Sequence, residues 1–313
     1  MAITGEGTKT SPYLVHSYEE LKVVCPHDDS GTYNGNENYV KFVRLENDIN
    51  CNDYGSTFEW EGFVLGGGSS DGTVVNLNLN NKTIKNVMIS ADDCLFSGTS
   101  FNGGYSIIHD GKLLNIFCNN SNSVISTNVR DASSEGICSC FLENVSMSTN
   151  ADSRKDYLFK RVMARQSSFY IKETTAADNY FWNYGSMPTE EFKNCDFKFD
   201  VDDINDKYVF YNQQSAASLV GLDSCRVRGK FMNAHFGVYG DRKVINSVLD
   251  IESDSYAGNY KNLVPYGSTG IYNSDKLQGD YLTVNGLTAV TTAEMKDASA
   301  LTSKGFMVVD ISK

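Results

Sequence analysis

Apolar and polar residues alternate in short runs along this chain, and the 3.6-residue period of a helix is almost absent. Tyr39-Val-Lys-Phe-Val-Arg-Leu-Glu-Asn-Asp-Ile49 alternates like a strand, and Leu77-Asn-Leu79, Val124-Ile-Ser-Thr-Asn-Val129 and Tyr208-Val-Phe-Tyr211 read as short strands between turns of Gly, Asn, Asp and Ser. A longer pattern overlies this one from about residue 74. An Asn or Ser is followed by an apolar residue or Cys, then any residue, then another apolar residue or Cys. The copies are Asn86-Val-Met-Ile, Asn115-Ile-Phe-Cys, Asn144-Val-Ser-Met, Ser168-Phe-Tyr-Ile, Asn194-Cys-Asp-Phe and Ser224-Cys-Arg-Val, 24–30 residues apart. A looser copy starts at Asn246. Each interval holds two or three short strands, too few to bury a core alone. Stacking one coil on the next removes the difficulty: alternate side chains point inward, and each backbone pairs with the coils above and below. The pattern therefore predicts an all-β parallel β-helix in which the chain winds alone. The leucine signature of a leucine-rich repeat and the Trp-Asp signature of a propeller are both missing.

Open ends of such a rod are unpaired strand edges and need covers. Ser17-Tyr-Glu-Glu20 has the spacing of a capping box and predicts a short helix over about 18–24, with Pro26 stopping it. Thr291-Thr-Ala-Glu294 has the same spacing near the other end, where Met295, Ala298 and Leu301 are placed to line one helix face. Gly305 suits the position just past a helix, and Phe306-Met-Val-Val-Asp-Ile311 returns as a strand. Three parts follow: a cap with lead-in strands over 1–65, coils over 66–290, and a capping helix and strand over 291–313. With parallel strands about 4.8 Å apart, the coils make a rod on the order of 40 Å long.

Composition narrows the function. The chain has 313 residues, 26 Gly against 4 Pro, and a formal charge of −12. That charge argues against nucleic-acid and anionic-membrane partners, which need a cationic surface. No run approaches the length of a membrane span. The first residues lack the basic and apolar regions of a secretory signal, which predicts a chain that stays out of the general export route. Eight cysteines in 313 residues are too sparse for a stapled scaffold and form no Cys-x-x-Cys pair. They read as buried thiols acting as small hydrophobes, and neither a metal nor a cofactor is expected.

Several segments also carry a resemblance. Gly5-Glu-Gly-Thr8, Ser11-Pro-Tyr-Leu-Val15 and Tyr18-Glu-Glu-Leu21 precede Val40 to Ile49, then Val75-Asn-Leu-Asn-Leu79, Lys82-Thr-Ile-Lys-Asn86 and Leu95-Phe96. Over about its first 100 residues the chain resembles right-handed β-helix proteins of the pectate-lyase-like superfamily, closest to forms on bacterial surfaces and in bacteriophage virions. The Thr291-x-x-Glu-Met…Gly305-Phe306 segment is similar to endings of phage-encoded members. The resemblance implies right-handed winding and, joined to the missing signal, assembly into a virion.

Lyases of this fold use carboxylates to hold a cation and a basic residue to take the proton, whereas glycosidases need two carboxylates about 5–9 Å apart. The densest acidic segment is Asp200 to Asp206; Asp202, Asp203 and Asp206, with Arg226 one coil on, are the weak catalytic candidates. The bland reading is a solvated turn between coils. Asp92-Asp93 lacks the other motifs of a polygalacturonase and reads as turn chemistry. His16, His27, His109 and His235 are too scattered for a triad. Gly66 to Gly72 lacks the Lys-Ser/Thr of a phosphate loop. Tyr180, Phe181, Trp182 and Tyr184 form an aromatic cluster that reads either as a folded-back insertion or as a contact surface for a neighbouring subunit or a sugar.

The expectation is a non-enzymatic structural protein of a virion: a fibre or decoration, homo-oligomeric with a trimer favoured, touching other virion proteins and host surface polysaccharide. A polysaccharide depolymerase and a bacterial surface adhesin are the alternatives.

Overall fold

In a computed structural model the chain winds into a parallel β-helix. The structure describes residues 3–24, 40–51, 63–64, 74–87, 89–90, 95–97, 100–102, 106–116, 135–150, 157–173, 190–201, 220–230, 243–252, 264, 266–277 and 286–306. A 19-stranded sheet holds all the described strands except the antiparallel pair Leu95–Ser97 and Ser100–Asn102. Within that large sheet every strand pair is parallel and links one coil to the next.

Each coil presents up to three faces. On the first, Val43, Leu77, Ile108, Leu142, Ala164, Phe192, Leu222 and Val244 stand over one another in register. On the second, the stack is Ile49, Ile84, Leu113, Met147, Phe169, Phe197, Val227 and Leu249. All of these residues are buried and belong to one continuous core. The third face pairs Phe63 with Ile89, Ile89 with Ile137, and Ile137 with Phe159. The strand Glu135–Asn150 serves all three faces in turn, with Ile137 on the third, Leu142 on the first and Met147 on the second. A period-2 alternation suffices for this arrangement, because one side of every face is always the inside.

Among the described residues, rings cluster in the core at mid-rod. Phe169 and Phe197 stack with centroids 4.8 Å apart, and Phe192 meets Phe197 edge-on at 5.3 Å. Offset-stacked and edge-on pairs each add about 0.5–1.5 kcal/mol beyond burial.

Coil length is irregular, and the sequence repeat is only partly in phase with the coils. Side-chain links from one coil to the next span 34, 22, 30 and 22 residues at the same corner. Asn144, Asn194, Ser224 and Asn246 do share that corner. Asn86 and Asn115 instead lie within second-face strands, and Ser168 opens one. The first step of 29 residues, Asn86 to Asn115, joins positions that stand in register, whereas the second, Asn115 to Asn144, joins unlike ones; strand register, not a fixed period, holds the coils together. The single strand expected from Tyr39 to Ile49 is likewise two, Val40–Leu45 and Ile49–Asn50, on different faces.

The first helix, α1, spans Tyr18–Val24 and places Leu21 and Val24 in the core. The Ser17 hydroxyl accepts the Glu20 N–H at 3.3 Å, while the Glu20 carboxylate accepts the His16 N–H at 2.7 Å, one residue earlier than the usual box. At the C-terminal end Thr291 and Glu294 form the reciprocal box, 2.8 and 3.2 Å, but it opens only a 3-10 turn, Glu294–Lys296. Asp297 is extended and caps a separate helix, α2, Ala298–Ser303, through the Ser299 and Ala300 N–H groups. Met295 therefore sits on a different element from Ala298 and Leu301, and α2 buries no residue. Gly305 takes φ +88° and the Phe306 N–H returns to the Leu301 carbonyl at 3.0 Å, the Schellman closure that glycine permits. The strand expected after Phe306 lies outside the described residues.

Candidate functional site: a polar corner along the rod

One corner, between the first and second faces, repeats from coil to coil. Its first residue is left-handed in Asp110, Asn144, Gln166, Asn194, Ser224 and Asn246, with φ between 49° and 58°. This conformation costs an L-residue roughly 1–2 kcal/mol, and Asn and Asp tolerate it best because their short polar side chains bond locally. The corner residue's own N–H still reaches the next coil: Gln166 to the Lys193 carbonyl at 3.1 Å, Asn194 to Asp223 at 3.0 Å, Ser224 to Ile245 at 2.9 Å.

The following residue points inward as Val145, Ser167, Cys195, Cys225 and Ser247, each no more than 3% exposed. The N–H of Val145, Cys195 and Cys225 is satisfied by a side chain of the next coil, whereas that of Ser247 reaches the Thr269 carbonyl at 3.5 Å. The Val145 N–H donates to Ser167 Oγ at 3.1 Å, Cys195 to Cys225 Sγ at 3.5 Å, and Cys225 to Ser247 Oγ at 3.0 Å. Each hydroxyl or thiol then donates to the carbonyl two residues before it: Ser167 to Arg165 at 2.8 Å, Cys195 to Lys193 at 3.3 Å, Cys225 to Asp223 at 3.3 Å, Ser247 to Ile245 at 2.8 Å. An unmade buried bond would cost about 1–3 kcal/mol at each level.

Outside the same corner runs a groove of about 540 Å³. Asn81, Asn144, Gln166 and Asn194 supply amides along one wall. Lys112, Ser146, Ser168 and Asp196, the outward residues that open the second-face strands, supply the other. Amides and hydroxyls thus recur at the coil spacing, about 4.8 Å, with one ammonium, Lys112, and one carboxylate, Asp196, at the two ends of the second wall.

Charges beyond the groove are largely committed. Arg228 bonds Asp196 at 2.7 Å, and Lys193 lies 3.1 Å from Asp223. Lys198 stands 4.8 Å over the Tyr170 ring, whose hydroxyl bonds Asp200 at 3.3 Å. Burial and the Asp200 charge push the Tyr170 hydroxyl above its ordinary value. Burial works against the Asp250 carboxylate, yet bonds from Lys276 and Asn273 outweigh it and hold its pKa low.

At the groove's upper end Asn144 donates to Asp110 at 2.9 Å, and His109 Nδ1 lies 2.8 Å from the other Asp110 oxygen. The Asn144 and His109 bonds lower the Asp110 pKa. His109 Nε2 is 2.8 Å from Asn76 of the preceding coil. With both ring nitrogens engaged by the protein, His109 ties Asp110 to Asn76 of the preceding coil. Among the described residues no group of three or more His, Cys, Asp or Glu could hold a metal ion.

Of the residues singled out in the sequence, Tyr180, Phe181, Trp182, Tyr184, Asp202, Asp203 and Asp206 lie outside the described residues. Asp92, Asp93, His27 and His235 do too. Arg226 opens a second-face strand, directly between Asp196 and Val248 in register. Asn144 and Asn194 head copies of the sequence motif and do line the groove. Lys112, Ser146, Gln166 and His109 were not legible as site residues, because each gains its meaning from neighbours one coil away.

No protein-family model matches the chain, and no curated protein does. One solved structure aligned over most of the chain is that of a candidate immunoglobulin A1 protease from Bacteroides ovatus, with 10% identity, covering 96% of this chain and 90% of that one, at a TM-score of 0.33. So loose a likeness carries neither fold nor function, and the architecture rests on the chain's own ladders.

Proposed function

We propose that this chain is a non-enzymatic structural rod of a bacteriophage virion, a fibre or decoration whose corner groove holds host-surface polysaccharide. The observation that carries the non-enzymatic reading is the commitment of the polar groups around the groove. Asp110, Asp196, Asp223 and Asp250 each pair with a cation, an amide or an imidazole of the protein, and His109 has both nitrogens engaged. Such groups brace coils against one another and offer no proton donor and second carboxylate poised across a bond. The groove's unlike polar groups suit a ligand dense in hydroxyls. What supports the virion setting is the resemblance of the first hundred residues and of the C-terminal segment. Other virion proteins and further copies of the chain, arranged as a trimer, are the partners that setting implies.

Incubation with capsular polysaccharides tests the catalytic side: neither chain shortening nor new reducing ends are expected, and clear turnover would overturn the reading. Retention on immobilised polysaccharide, lost when Ser146→Phe and Ser168→Phe fill the groove, tests the adhesive side. Peptides of the chain should appear in purified particles by mass spectrometry, and their absence would remove the virion setting.

A further inference from the structure

We propose that Cys195 and Cys225 form an oxidation site at which hydrogen peroxide closes a disulfide between two successive coils. Both are free thiols. They occupy the same corner position of adjacent coils, bracketed by the in-register pairs Lys193 with Asp223 and Asp196 with Arg226. Parallel neighbours in register place their Cα atoms about 4.8 Å apart, inside the roughly 4.4–6.8 Å that a disulfide spans. Cys225 Sγ already lies 3.5 Å from the Cys195 nitrogen, and both sulfurs aim at the carbonyl two residues before them. The side chains therefore project the same way, one above the other.

The hydrogen-bonding column does not need sulfur for its structural work. Ser167 and Ser247 make the same donor and acceptor bonds at 2.8–3.1 Å, against 3.3–3.5 Å for the thiols. Two successive cysteines supply what serine cannot, a pair of groups that can join.

The two thiols are unequal. Burial opposes ionisation of Cys195, but bonds with the Cys225 thiol and the Ser167 backbone outweigh it and lower its pKa. Burial, followed by the Cys195 sulfur, pushes Cys225 well up. Cys195 is thus the thiol that ionises more readily and is assigned the attack, and Cys225 the thiol that resolves. The groove passes on the outer side of this corner, lined by Asn194 and Asp196, and does not reach either sulfur. At 2% exposure neither sulfur meets a protein oxidant, and a molecule as small as peroxide reaches them through local opening of the corner.

In the first step the Cys195 sulfur displaces hydroxide from the peroxide O–O bond, giving a sulfenic acid and, after protonation, one water. The Cys225 sulfur then attacks Cys195, its proton leaves with the sulfenic hydroxyl as a second water, and the S–S bond forms. Two thiols lose two electrons and two protons, and one peroxide becomes two waters. Bringing the sulfurs together sacrifices the bonds to the Lys193 and Asp223 carbonyls, so the bridge is strained and easily reduced.

The test treats the full chain with dilute hydrogen peroxide and digests it without reductant. The expected product is a peptide pair linked through Cys195 and Cys225, two hydrogens lighter than the separate peptides and released by dithiothreitol. Recovery of both thiols untouched, or of sulfinic acid at either without a link, overturns the proposal, and this reading needs no variant. Cys225→Ser should leave a sulfenic acid on Cys195 that dimedone traps, and Cys195→Ser should leave Cys225 unlabelled. The reverse labelling would overturn the assigned roles.

Discussion

Two columns of inward-facing side chains run side by side up this rod, and their chemistry is opposite. On the second face the column is Leu113, Met147, Phe169, Phe197, Val227 and Leu249. One corner away it is Val145, Ser167, Cys195, Cys225 and Ser247. Both are buried to the same degree, so burial does not set the difference; the backbone does. Within a strand every N–H and C=O is met by the neighbouring coil, and the inward side chain is free to be wholly apolar. At the corner the left-handed residue breaks the alternation, and the N–H groups of Val145, Cys195 and Cys225 turn to a side chain instead of a carbonyl. Above Val145, therefore, small side chains that both donate and accept stand in the column, Ser167, Cys225 and Ser247 among them.

Truncating the apolar column should have the largest effect. Phe197 touches three rings, at 4.8, 5.3 and 6.3 Å. Phe197→Ala is expected to cost about 3–5 kcal/mol of unfolding free energy, read by urea titration. A loss under about 1 kcal/mol would mean that the coils collapse around the gap and that the column is not a packed core.

The polar column should respond to bonding capacity rather than size. Ser247→Ala leaves the buried Cys225 N–H without its acceptor and should cost about 1–3 kcal/mol. Ser247→Cys keeps the donor and acceptor, as Cys225 itself does for Cys195, and should cost well under half of that in the same titration. Equal losses for the two variants would break the comparison.

The corner residue comes next. Asn194 has φ 54°, which a β-branched side chain resists. Asn194→Val is expected to cost about 1–2 kcal/mol, whereas Asn194→Gly should be close to neutral, by thermal and urea unfolding. If valine were tolerated, the left-handed corner would not be what fixes the column beside it.

These contrasts also explain what could be read from the sequence. The alternation of Val40 to Leu45 or of Phe197 and Phe199 announces a strand with one buried side, and repeated strands of that kind announce stacked coils. The α1 boundaries were legible because Ser17 and Glu20 are local signals. The corner was half legible: Asn144, Asn194 and Ser224 share a pattern, but Gln166 and Asp110 do the same geometric work with other side chains. The groove was not legible, since Lys112, Ser146, Ser168 and Asp196 become neighbours only when coils of unequal length are brought into register. His109 is an isolated histidine in the sequence, and its partner Asn76 is 33 residues away.

The smallest effect expected lies at the capped end, where a backbone donor meets a charge instead of a neutral hydroxyl. The His16 N–H bond to Glu20, chief among its interactions, holds the Glu20 carboxyl below its ordinary value despite burial. A depressed folded pKa contributes stability above the unfolded value that fades as pH falls through the folded one. Stability from Glu20 should therefore be full at neutral pH and decline below about pH 4.5, the ordinary value for this carboxyl. Glu20→Gln keeps an acceptor for the His16 N–H and removes only the charge beside the helix start, which is worth about 0.3–1 kcal/mol. Urea titrations of both proteins from neutral to acid pH should show curves that differ at neutral pH and converge on acidification. A constant offset at all pH values would assign the end cap to shape alone, as in the serine and cysteine column, and erase the distinction between charge and hydroxyl as partners for an unpaired N–H.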